Sequence, residues 1–397
     1  MNFYFHHKNF KKLGLAIMSL MLVTGGGSSL ASEVNRSGVK SAKANSQSVK
    51  LYLIQDIFDT SAFIDQQGNQ VIEPIFSDGR PFRHGLAAVR AQDKQGNLRW
   101  GFINESGKFV IEPKYTSVTG DGFSDSGKAI VGMTPYQDVI IDRSGKETPI
   151  PAGLSTQTSF SNGLAIVYNS DFELGLINES GRLVVEPKFA QIQTGDSLTL
   201  VRLNSRTSSN YIDSNGKFLF DSQALDPVPT YTSATTFSED RAIVKLAQGE
   251  KYSLIDSDGQ IIKDFKLSDV LSGFIDLQCG TVKGYSQGLI GARFFPTGVN
   301  PNSRRSVRKY KCGYLDRDGL VAVEPAFDYA MPFSEGLAAV KIGNKWGYIN
   351  LKGEMVIEPE YATAGKFDNG LAVVSRYSDN MRFGYINTKG ELVYKSR

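Results

Sequence analysis

Few side chains in this 397-residue sequence have the type and setting to do chemistry. Of its three histidines, His6 and His7 lie in the first dozen residues, inside a segment that reads as a removable leader, which leaves His84. A Ser-His-Asp or Cys-His nucleophile would have to be built on that one imidazole. A metal site with several histidines is excluded. His84 occupies a polar turn slot that other parts of the chain fill with Glu335, Asn162 or Asn369, and it reads as a solvated turn residue. Five Glu-Pro pairs supply carboxylates: Glu73-Pro74, Glu112-Pro113, Glu186-Pro187, Glu324-Pro325 and Glu358-Pro359. Paired carboxylates are the equipment of glycoside hydrolysis, but a catalytic pair occurs once, whereas these recur in one register as a structural position does. Asp256-Ser257-Asp258-Gly259 and Asp316-Arg317-Asp318-Gly319 start like calcium loops and then lack the later acidic ligands. No glycine cluster has the spacing of a phosphate-cradling loop. The expectation is a non-catalytic chain that needs neither a metal nor another cofactor.

Two other groups stand out. Cys279 and Cys312 are the only cysteines, and in an exported protein an even pair reads as a disulfide. Between them lies the insertion FFPTGVNPNSRRSVRKYK, residues 294–311, which concentrates Arg304, Arg305, Arg308, Lys309 and Lys311 without an acid. The formal net charge is +3, and the first 31 residues carry Lys8, Lys11 and Lys12 and no acid, so the remainder is neutral. A neutral chain has no global attraction to nucleic acid. The basic insertion is then its strongest local field and a candidate contact for an anionic partner: a cell-wall polymer, lipopolysaccharide phosphate or an acidic protein.

The N-terminus has the three parts of a secretory signal peptide: a basic head (residues 1–12), an apolar run (13–23, LGLAIMSLMLV) and a small-residue exit ending Ser29-Leu30-Ala31. The apolar run is short for a membrane span, which favours cleavage after Ala31, and no other stretch is long and apolar enough to cross a bilayer. Residues 32–50 are rich in Ser, Asn and Lys and read as a flexible spacer. The expected location is outside the cytoplasm, in the periplasm, at the cell surface or in the medium.

From Leu51 to Arg397 one pattern recurs. FSEGLAAVKIGNKWGYINLKGEMVIEPEY (333–361) has counterparts starting at Phe82, Phe160 and Phe367, with weaker copies near Phe123, Phe237 and Tyr285. A glycine marks each copy, at Gly68, Gly107, Gly145, Gly181, Gly216, Gly259, Gly319, Gly353 and Gly390, spaced 34–43 residues apart with one longer interval that holds the insertion. Such a period indicates a repeat array rather than separate domains. Within a copy, G-L-A-A-V-K, W-G-Y-I-N and M-V-I-E-P have strand composition. The intervening I-[ND]-x-x-G is a hairpin turn opened by an Asn or Asp side chain and completed by a glycine at positive φ. The Glu-Pro pairs are expected to end the third strand, because proline cannot donate to a ladder. Each copy therefore reads as a three-stranded antiparallel meander. Its middle strand puts Trp346 and Tyr348 on one face and Gly347 and Ile349 on the other, both suited to packing against neighbours.

KWGYIN and RWGFIN followed by G-x-x-V-I-E-P resemble the WG-repeat (KWG) family of bacterial repeat proteins over about Leu51–Arg397. The motif residues are Trp100, Gly101, Trp346 and Gly347; elsewhere Leu174, Cys312 and Phe383 stand in the tryptophan slot. The resemblance implies a non-catalytic β-repeat array, often exported. A fainter likeness is to the hairpin repeats of cell-wall-binding proteins. The fold expected is all-β, about nine meanders in a propeller-like or toroidal array, with an open β superhelix as the alternative. The function expected is a binding or scaffolding module of the cell envelope, monomeric, with a protein or cell-wall polymer as partner. The other readings are a glycan-binding module in which Trp100 and Trp346 stack on sugars and, behind it, a carboxylate-based hydrolase.

Overall fold

In the computed structural model the described residues are 50–55, 60–134, 137–203, 209–219, 231–246, 251–266, 275–276, 279, 284–294, 310–376 and 381–396. They fall in one compact unit, Ser48–Arg397. The expected leader and all of the spacer except Lys50 lie outside them.

Among the described residues there is no helix; small antiparallel sheets follow one another as nine blades of a β-propeller. The blades span residues 52–76, 78–115, 117–149, 155–189, 191–212, 231–266, 275–327, 329–361 and 363–395. Blades 5 and 6 are hydrogen-bonded into one sheet through the Ser209–Tyr231 pair. Most blades have four strands rather than three, because a short first strand precedes the three read from the repeat. Blade 8 shows the plan with Tyr329–Ala330, Leu337–Ile342, Lys345–Asn350 and Met355–Tyr361 in sequential antiparallel order.

Turn chemistry sets the hairpins. Between the first two strands Ser334 and Leu337 exchange backbone hydrogen bonds of 2.8 and 3.1 Å across Glu335 (φ 54°) and Gly336 (φ 80°). Two consecutive positive φ values make the two-residue turn whose twist suits a hairpin. Between the last two strands Asn350 Oδ1 accepts hydrogen bonds from the amides of Lys352 and Glu354, each at 3.0 Å, as the I-[ND]-x-x-G reading anticipates.

The Glu-Pro pairs do not end the last strand. Met355–Tyr361 runs through Pro359, and Phe109–Tyr115 runs through Pro113. These are edge strands, and each pair sits in a bulge: Trp346 faces Tyr361 and Tyr348 faces Ile357, so the Glu358-Pro359-Glu360 stretch opposes Gly347 alone. At a bulge on an edge, a missing N–H costs the ladder nothing. The bulge also explains the motif glycine. A Cβ on Gly347 would lie 2.4 Å from the Ile357 carbonyl oxygen, and the same clash arises at Gly101, Gly175 and Gly313.

The third strand buries both faces against different neighbours. Tyr348 packs with Phe367, Ala372 and Ile386 of blade 9, and Ile349 packs with Val323, Phe327 and Cys312 of blade 7. Tyrosine hydroxyls add a latch to the next blade: Tyr314 donates to Met331 O (2.6 Å), Tyr348 to Gly365 O (3.0 Å) and Tyr211 to Thr235 O (2.6 Å). The last blade meets the first in the same way. Tyr385 donates to Leu53 O at 2.7 Å, Tyr52 donates to Asn369 O, and Ile54, Ile64, Leu371 and Tyr385 share a cluster. The ring is closed, which selects the propeller over the open superhelix.

Two outcomes follow. Gly347→Ala should destabilise the protein by about 1–3 kcal/mol through overpacking against the bulge, read as a lower midpoint of urea unfolding. Burial raises the Tyr348, Tyr285 and Tyr385 hydroxyls above their ordinary value. The unfolded chain therefore loses these protons first, and stability should hold up to about pH 10 and fall above it. Urea midpoints across that range check this, and Tyr348→Phe should lessen the fall.

Candidate functional site

The Cys279–Cys312 disulfide is formed, with Cα atoms 5.8 Å apart and both residues fully buried. Cys312 stands in the tryptophan slot of its blade. In blade 2 Trp100 is 7% exposed, with the Arg80 guanidinium 4.9 Å from its ring centre. In blade 8 the half-buried Trp346 meets the edge of Tyr329 at 5.3 Å. Each ring covers the chain at its own blade's first strand, and in blade 7 the disulfide ties that place to Cys279, just after Ile275–Asp276. Gly101 and Gly347 are the bulge glycines.

Arg304, Arg305, Arg308 and Lys309 lie outside the described residues. Lys311 pairs with Asp328 of the neighbouring blade at 2.6 Å, and its hydrogen bond holds that carboxyl below the usual range. The insertion joins Ile290–Phe294 to Lys311–Leu315, the second and third strands of blade 7. Second strands run away from the first turns and third strands run back, so the insertion leaves from the end of the blade opposite those turns. The five Glu-Pro glutamates are exposed on the edge strands of separate blades. Asp256 and Asp316 are occupied as turn openers, each accepting two backbone amides at 2.8–3.1 Å. Among the described residues no group of three His, Cys, Asp or Glu side chains is placed to hold a metal ion, and no helix is long and apolar enough to cross a membrane.

What the sequence reading missed is at the first-turn end. A cavity of about 780 Å3 opens where the first turns of blades 2, 3, 4 and 9 converge. In blades 6 to 9 these turns are linked in series: Gly288, Gly336 and Gly370 donate their amides to Glu239, Gln287 and Glu335 of the preceding blade at 2.7–2.8 Å. Blade 3 breaks the pattern. Its turn is one residue longer, with Ser124 and Lys128 bonded across Asp125-Ser126-Gly127, and this projects Asp125 fully into solvent, where its carboxylate meets His84 Nε2 at 2.9 Å. His84 is thus a turn residue (φ 52°) as expected, but it bridges two blades and lines the cavity.

Arg83 donates to Asp121 of blade 3 and Asp368 of blade 9, both at 3.1 Å. Burial opposes its charge, but the two carboxylates outweigh this and raise its pKa. On the blade 4 side Glu179 accepts hydrogen bonds from the hydroxyls of Ser124 (3.4 Å) and Ser126. Phe82, Phe123 and Phe160 supply the apolar lining. The one signal in the sequence was the extra residue in FSDSGK (123–128) relative to F-x-x-G-L.

The sequence profile of the WG containing repeat matches at residues 62–94, 100–133, 175–204, 313–346 and 346–376. The chain carries WG repeats. Each matched WG unit starts in the two-faced buried strand of one blade and runs to or just past the second strand of the next, so the sequence repeat is out of phase with the blade and straddles an interface. No functionally curated protein is similar to the chain. Among solved structures it is similar to a protein of unknown function from Bacteroides caccae (17% identity, 57% of this chain and 88% of that one, TM-score 0.26). It is also similar to apo AztD from Citrobacter koseri (13% identity, 80% and 92%, TM-score 0.38). KlHsv2 with loop 6CD replaced by a Gly-Ser linker is a third (9% identity, 76% and 93%, TM-score 0.34).

Reducing the disulfide, or replacing both cysteines by alanine, should lower stability by about 3–4 kcal/mol in the chain-entropy account. Thermal unfolding with and without reductant measures this, and thiol labelling of unfolded, unreduced protein should find no free thiol.

Proposed function

We propose that this protein is exported and acts as a non-catalytic binding or scaffolding module of the cell envelope. One observation carries the reading: the residues that repeat are consumed in holding blades together, and the residues that depart from the repeat collect at the two ends of the blades. The bulge glycines, turn glycines and latch tyrosines all contact neighbouring strands or blades. The departures are the cavity at the first turns and the basic connection between the second and third strands of blade 7. Repeat arrays recognise partners through such variable ends.

The leader-like N-terminus supports export, and a buried disulfide is at home in an oxidising compartment. The basic connection is the contact for an anionic partner, either an acidic protein or an envelope polymer. Burial of Trp100 weighs against sugar stacking there.

The test is capture from envelope extract, beside purified peptidoglycan, at low and high salt. A protein or polymer partner should be retained at low salt and released at high salt, as a charge contact requires. Serine at Arg304, Arg305, Arg308 and Lys309 should reduce capture several-fold. Salt-independent retention on peptidoglycan would instead assign a glycan module, and no capture on either would overturn the binding reading.

A further inference from the structure

We propose that the first-turn cavity takes a small organic cation, a primary or quaternary amine on an aliphatic or amino-acid-like body. The inference deepens the binding reading at that end of the blades and does not involve the basic connection at the other. Its size comes first. A cavity of about 780 Å3 is within the range of small-molecule sites, roughly 300–1,000 Å3, and far exceeds the space a bare ion needs.

Charge comes second. The lining carries three carboxylates, Asp121, Asp125 and Glu179, against Arg83 and Lys366, with His84 beside them. Arg83 is already shared between Asp121 and a further carboxylate, Asp368, and Asp125 is held by His84. Glu179 differs from these. Its half-buried carboxylate is oriented by the Ser124 and Ser126 hydroxyls of the neighbouring blade, and among the described residues no cationic side chain pairs with it. Hydroxyl donors fix the direction of a carboxylate but leave its charge uncompensated, so a cation entering the cavity gains a charge-assisted hydrogen bond at a preset position.

The third feature is the aromatic lining. The half-buried Phe82 borders the same space, with Phe123 and Phe160 in the blade cores beneath it, and an aromatic ring beside carboxylates favours alkylammonium groups over both anions and neutral polyols. Lys366, an exposed ammonium on the blade 9 side, allows the body of the ligand to bear a carboxylate of its own. A metal ion is a poorer fit, because no three ligating groups converge among the described residues.

Calorimetric titration of the full chain tests this, with choline and cadaverine as amine probes and galactose and glutarate as neutral and anionic counterparts. At least one amine should bind at a single site, and neither counterpart should. Glu179→Gln keeps an oxygen for the serine hydroxyls and removes the charge, so it should weaken the amine by about tenfold or more with the thermal midpoint unchanged. Asp125→Asn, at a fully exposed position, is the second variant and should weaken it less. Binding of galactose or glutarate in preference to amines, amine affinity indifferent to Glu179→Gln, or no binding by any probe would overturn the proposal. Envelope capture run on the same preparations separates the two readings. Capture without amine binding overturns only the ligand class, whereas amine binding without capture overturns only the envelope role.

Discussion

Each blade has one strand buried on both faces, the third in most blades and Ser61–Ile64 in blade 1, and the rest of the structure depends on covering both. In blade 8, Tyr348 is buried toward blade 9 and Ile349 toward blade 7. A side chain of that size gains about 1.5–3 kcal/mol from burial, so an open row of blades would forgo that gain across two whole end faces unless special caps covered them. Closing the row removes both ends at once. Blade 1 against blade 9 therefore repeats contacts made between interior blades: a tyrosine latch from Tyr385 to Leu53, as Tyr348 latches onto Gly365, and a turn glycine, Gly68, set against Val393 as Gly353 is set against Val323. The copy number matters less than the equivalence of the last interface with the others.

The WG motif records this arrangement at its tightest point. The bulge around a Glu-Pro pair pushes an edge strand onto the strand beside it; in four blades a glycine lies beneath the carbonyl there, where a Cβ would clash, and in blade 1 Ala62, the next smallest residue, takes the place. The tryptophan before the glycine has a looser task, to cover the chain at its own blade's first strand, and a looser task tolerates substitutes. Trp100, Trp346 and the Cys279–Cys312 bond are alternative solutions to it. This explains why the glycine recurs where the tryptophan does not.

Much of this was legible in the sequence because it is local. The Asn and Asp turn openers, the positive-φ glycines, the two-faced third strand and the cysteine pair each follow from residue type and spacing. The first strands were not legible, since two residues such as Tyr329–Ala330 carry no periodicity. The Glu-Pro pairs were misread for a related reason. The rule that proline ends a strand assumes a regular ladder, and the register shift opposite Gly347 is a property of the pair of strands, not of either one. Closure and the partners of Arg83 and His84 are contacts between blades, which a periodic sequence specifies only through the fold.

The cavity shows how a repeat protein can acquire a site at little cost to its frame. One added residue in the blade 3 turn projects Asp125, yet the ladder resumes at Lys128, and the blade 3 core residues Ile130, Val131 and Ile140 remain fully buried. The latch tyrosines and bulge glycines lie along the strands, away from that turn, so packing does not constrain which side chains the turn carries. Blades 6 to 9 use the equivalent positions to link turn to turn. Between blades 2 and 3 that link is replaced by a contact between two side chains, His84–Asp125, and Arg83 reaches past blade 1 to Asp368. A stretch of the ring held by pairs of side chains meeting across the gap, rather than by one Glu or Gln side chain on a backbone amide, leaves room between the turns. That room is lined with carboxylates and hydroxyls because those are the residues that turns select.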